Sequence, residues 1–146
     1  MYNYCLTEYI KGYILKVVKV GSILSIKKGF KKMKNCKERV KEAYQDRITD
    51  IRKLYKAGAE EVKDLGTLAE YGLSIDKVKA GTFEKQKEDY LRYQLSYGGP
   101  SEEFRIYKNG EVEFWLLDWF DGAKVEVKGN DAEMIKDIVK IAGLSF

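Results

Sequence analysis

The stretch Glu111-Val112-Glu113-Phe114-Trp115-Leu116-Leu117-Asp118-Trp119-Phe120 decides how this chain folds. Read with a period of two, one side presents Val112, Phe114, Leu116 and Asp118, and the other Glu113, Trp115, Leu117 and Trp119. An antiparallel strand with one wet face alternates apolar with polar, yet the middle of this one is apolar on both sides. Two readings follow. In one, the strand is central, roofed by a C-terminal helix and floored by a long helix. In the other, one face is kept for a partner, because Trp and Tyr are the residues that anchor interfaces.

Working outward, the neighbours on both sides also read as strands. Tyr93, Leu95 and Tyr97 alternate with polar residues and run into the turn cluster Gly98-Gly99-Pro100-Ser101. Phe104 and Ile106 continue the alternation as far as Asn109-Gly110, which suits a type I′ hairpin because both central residues need positive φ. On the far side, Asp121-Gly122 signals a second hairpin, followed by Val125 and Val127 between charged neighbours. These elements make a three- to four-stranded antiparallel meander. A C-terminal helix follows, with Asn130 as its cap, Glu133 completing a capping box, an apolar face of Met134, Ile135, Ile138, Val139 and Ala142, and Gly143 as its stop.

Upstream the period lengthens. Val40, Tyr44, Ile48, Ile51 and Tyr55 recur at spacings of 4, 4, 3 and 4, so a long helix is expected over about 32–56. A shorter helix is expected over 60–71, burying Val62, Leu65 and Leu68. A third, of about ten residues, is expected to open at Thr82 and include Phe83 and Tyr90. Residues 9–26 fit strand and helix equally. The fold class is therefore α+β, divided into a basic helical region over 1–81 and an α+β module over 82–146.

Composition narrows the function. The 146 residues include no His and only two Cys, which removes imidazole bases, Ser-His-Asp triads and four-thiolate metal cages. Apolar runs are far shorter than the roughly 20 residues a bilayer needs, and no targeting segment is visible, so a bacterial cytoplasmic location is expected, with no membrane partner. The net charge of +4 hides a division. Residues 1–41 carry eleven Lys and Arg against two acids, a net of +9, which leaves −5 for the remainder. The basic patch gathers Lys27, Lys28, Lys31, Lys32, Lys34 and Lys37, suited to phosphate or to an acidic protein, although a solvated helix face reads the same way.

Candidate chemistry is sparse. Asp118, Asp121 and Asp131 offer oxygen ligands for Mg²⁺ or Ca²⁺, but the spacing is not that of an EF-hand, and Asp-Gly is what a tight turn wants. The Gly98–Ser101 loop lacks the ending of a P-loop, and Cys5 and Cys36 read as small core residues. No cofactor, metal or catalytic residue is expected. The candidate partner-binding residues are Tyr97, Trp115, Asp118, Trp119, Phe120 and Asp121.

The blocks SYGGPS-x-EF (96–104) and LDWFDGA (117–123), within a region from Tyr93 to Leu144, resemble a group of small accessory proteins carried by phages, plasmids and integrative elements of low-GC bacteria. The resemblance implies an anti-defence factor, such as an anti-CRISPR-type inhibitor, that binds and blocks a host nuclease or effector complex. The alternative is a nucleic-acid-binding accessory protein whose basic arm contacts RNA or DNA phosphate. A homo-oligomer fits either reading.

Overall fold

A computed structural model describes residues 34–146, which form one compact unit. The elements run α1 (Cys36–Ala57), α2 (Leu68–Tyr71), β1 (Ser74–Val78), β2 (Tyr90–Ser96), β3 (Ser101–Tyr107), β4 (Val112–Asp118), β5 (Asp121–Val127) and α3 (Gly129–Ile141). The architecture is α+β, with five strands in the simple antiparallel order β1-β2-β3-β4-β5.

The long helix starts four residues later than its apolar stripe suggests, because Asn35 caps it. The Asn35 side chain accepts from the Glu38 amide, and Glu38 returns the bond to the Asn35 amide. The expected stripe is buried through Cys36, Val40, Tyr44, Ile48, Ile51 and Leu54. α1 and α3 join a single core with Tyr93, Phe104, Phe114 and Leu116. Those four side chains lie on one face of the sheet by strand alternation, so both helices cover the same face. The floor-and-roof arrangement expected around β4 is therefore corrected.

Three further expectations change. The segment 60–71 is not one helix: Val62 and Gly66 bridge each other in a tight turn with Gly66 at φ 78°, and only Leu68–Tyr71 is helical. The helix expected at Thr82 is absent. Thr82 closes a local turn onto the Lys79 carbonyl, and Tyr90 opens β2 instead. Asn130 sits inside α3 rather than capping it, with Lys128 at the cap position and Glu133 accepting from Lys136. The division between 81 and 82 also moves, since α1 and β1 pack with the sheet in the unit beginning at Lys34. Residues 9–26, Cys5, Lys27, Lys28, Lys31 and Lys32 lie outside the described residues.

Candidate functional site

The β4–β5 hairpin does not turn where its sequence invites it to. Asp118 pairs with Asp121, so Trp119 and Phe120 form the two-residue turn while Asp121-Gly122 begins β5. The register explains this. It sets Leu116 opposite Ala123, Phe114 opposite Val125 and Val112 opposite Val127, apolar against apolar along the core face. A turn at Asp121-Gly122 would carry Asp118 into that face opposite Val125, an uncompensated buried carboxylate. Packing thus overrides local turn preference. Trp119 adopts φ 54° and Phe120 does not share the positive φ, the pattern of a type II′ turn, whose first position ordinarily takes glycine.

The turn projects its aromatic side chains away from the protein. Trp119 is 90% exposed and Phe120 fully exposed, while Tyr97, in the β2–β3 loop at the same end of the sheet, is 82% exposed. The two aspartates beside them have structural duties. Asp121 accepts the Cys36 amide at 2.6 Å, and Asp118 accepts Arg39 Nη1 at 2.7 Å, so the hairpin is fastened to the first turn of α1. The Cys36 amide above all, helped by the Gly122 amide and Arg39, holds the Asp121 carboxyl below its ordinary range. The same fastening brings the exposed Lys34 and Lys37 beside the aromatic turn, and neither makes a salt bridge among the described residues. The Cys36 thiol is buried, and burial raises its pKa, followed by the Asp121 carboxylate beside it.

Trp115 belongs to a different environment. It lies on the sheet face opposite the helices, where Arg105 stacks between Trp115 at 4.2 Å and Tyr90 at 4.8 Å from the ring centroids. Its indole N–H donates to Glu113 at 2.8 Å, and Glu113 also accepts from Tyr107 and Lys124. Burial pushes the Glu113 carboxyl up, but these three donors more than offset it and the net shift is downward. Trp115 is therefore set apart from Tyr97, Trp119 and Phe120 and is bonded within the sheet.

All five arginines are committed to ion pairs: Arg39 to Asp118, Arg47 to Glu102, Arg52 to Asp131, Arg92 to Asp76 and Arg105 to Glu103. Asp131 accepts both Arg52 and the Tyr44 hydroxyl, so it does not join Asp118 and Asp121. Among the described residues no group of three or more His, Cys, Asp or Glu could hold a metal ion, and no helix is long and apolar enough to cross a membrane. The Gly98–Ser101 loop closes on itself, with Ser96 Oγ donating to the Pro100 carbonyl and Ser101 Oγ to the Ser96 carbonyl.

The sequence reading missed one feature. A cleft of about 670 Å³ opens at the C-terminal end of α1, lined by Tyr55, Leu68, Leu73, Ile75, Tyr93 and Ile141 among others. Its elements are short or end there, so no periodic stripe announced it. No family model, curated protein or solved structure matches the chain, so its residues and geometry alone carry the functional reading.

Proposed function

We propose that the chain works by binding a macromolecular partner rather than by transforming a substrate, as an inhibitor that seats its β4–β5 turn on a host effector protein and blocks it. The observation that carries this reading is the Trp119–Phe120 turn. Two large aromatics sit wholly in solvent, the first in a backbone conformation that costs a non-glycine residue about 1–3 kcal/mol. Nothing in the fold needs aromatics there, because the register is set by the core face. Such side chains contribute most when a partner desolvates them, burying about 150–250 Å² each.

The absence of His from the sequence and the structural use of Asp118 and Asp121 support a non-enzymatic role. The narrower identity of the partner, a nuclease such as a CRISPR effector met in the bacterial cytoplasm, is supported by the resemblance of residues 93–144 to mobile-element accessory proteins. A pull-down from host lysate tests the reading. A protein recovered by the wild type at moderate salt should be lost with the W119A/F120A double variant while the melting temperature is kept. Recovery of the same proteins by both would overturn it.

The exposed Lys34 and Lys37 beside the aromatic turn favour a second reading, single-stranded nucleic acid held by phosphate contact and base stacking. Binding of that kind falls steeply with salt on a log–log plot, whereas an aromatic-anchored protein complex persists.

A further inference from the structure

The aromatic turn and the apolar cleft lie at opposite ends of α1. Asp121 holds the N-terminal end of the helix through the Cys36 amide, while Tyr55, Gly58 and Ala59 at its C-terminal end line the cleft. A 22-residue helix is about 33 Å long, so the turn cannot reach the cleft of its own chain. The two ends are complementary in every respect that governs association. One end projects Trp119 and Phe120, while the other is an apolar recess whose rim leaves Leu73 61% and Ile141 73% exposed. The projecting end carries Lys34 and Lys37. The recessed end carries the exposed Glu60, Glu61 and Glu70, which make no salt bridge among the described residues. The dipole of α1 runs the same way, positive toward the turn and negative toward the cleft.

We propose that two copies of this chain associate head to tail, with the Trp119–Phe120 turn of one copy seated in the α1–α2–β1–α3 cleft of the next. The contact is heterologous, so it leaves one free turn and one free cleft and can propagate. Two aromatics burying about 150–250 Å² each give roughly 600–1,000 Å² counted over both copies, below the standard interface of about 1,200–2,000 Å². The association is therefore weak and concentration-dependent. It occupies the same turn that the partner-binding reading uses, so self-association and capture of a foreign partner compete. It goes beyond that reading and stands without it.

Sedimentation of the full chain from about 10 µM to about 1 mM tests the proposal across the range in which so small an interface associates. The average mass of the wild type should rise with concentration, and raising salt from about 0.05 to about 0.5 M should weaken the rise several-fold. The variants W119A/F120A and I141E, both at exposed positions and checked for an unchanged melting temperature, should each stay monomeric. Mixed together they should form a one-to-one heterodimer, because one keeps a cleft and the other a turn. A wild type that is monomeric at the highest concentration would overturn the proposal while leaving the foreign-partner reading intact. A mixture that stays monomeric, or single variants that still associate, would overturn it as well.

Discussion

Two adjacent hairpins in one sheet solve the same geometric problem in opposite ways. Between β3 and β4 the chain turns through Lys108-Asn109-Gly110. The Gly110 amide donates to the Tyr107 carbonyl, only Gly110 has positive φ, and the Asn109 side chain accepts the Glu111 amide. This is a three-residue loop with a left-handed glycine rather than the two-residue type I′ turn its sequence suggests, but the residues remain those that turns favour. Between β4 and β5 the chain turns through two aromatics, with the left-handed position given to Trp119. In the first hairpin local preference and register agree. In the second they conflict, and the core face of β4 wins.

If packing sets the second turn, removing the packing is the strongest way to break the contrast. Phe114 is fully buried, 5.8 Å from the Tyr44 ring and 5.1 Å from Phe104, and opposes Val125. Phe114→Ala should cost about 3–5 kcal/mol in thermal or denaturant unfolding, the largest single effect expected here. A loss under 1 kcal/mol would show that the register has another source.

The glycine of the first turn should respond next. At φ 88° a side chain is strained, and the nearest atom a Cβ would meet is the flexible Lys136 Nζ at 3.7 Å, so strain rather than collision decides the outcome. Gly110→Ala should destabilise by about 1 kcal/mol. The mirror experiment in the second turn has the opposite sign. Trp119→Gly relieves a strained backbone and removes a side chain that packs on little, so it should stabilise by about 0.5–1 kcal/mol after the extra entropy of an unfolded glycine is deducted. A melting temperature that falls instead would mean that Trp119 holds the hairpin together, which would remove the main support for a binding role.

The same conflict explains what could be read from the sequence. The α1 stripe, the alternation of β2 to β5 and the apolar face of α3 were legible because burial repeats there over many residues. Tyr97, Trp119 and Phe120 were legible as candidates because aromatics at the end of a strand exceed what a core needs. The turn position was not legible, since Asp121-Gly122 is the better local signal and only cross-strand pairing rejects it. β1 was missed because Ser74–Val78 is a short edge strand whose polar residues include Asp76, bonded to Arg92. Glu102, Glu103 and Asp131 look like solvated acids, and only the structure reveals the arginines opposite them. Lys34 and Lys37 read as part of one basic run, but their place beside the aromatic turn depends on the Cys36–Asp121 bond, which spans 85 residues.

The smallest expected effect separates the two hairpins by the chemistry that fastens them. Asn109 holds its turn with a neutral amide oxygen, while Asp121 holds the aromatic turn to α1 with a carboxylate. Hydrogen bonds from the Cys36 and Gly122 amides lower the Asp121 pKa in the folded protein, so above the ordinary Asp value of about 3.9 the fastening is complete. As pH falls through the depressed folded value the carboxyl takes a proton, the Cys36 amide loses a charged acceptor, and the associated stability disappears. The carboxylate is solvent-screened, so the effect belongs to the hairpin more than to global unfolding. In an NMR titration the Cys36 amide proton should shift with a midpoint below the ordinary Asp value, while the Glu111 amide, bonded to Asn109, should not follow it. Parallel movement of the two amides would mean that acid loosens the sheet as a whole, and that the aromatic turn has no separate tether to α1.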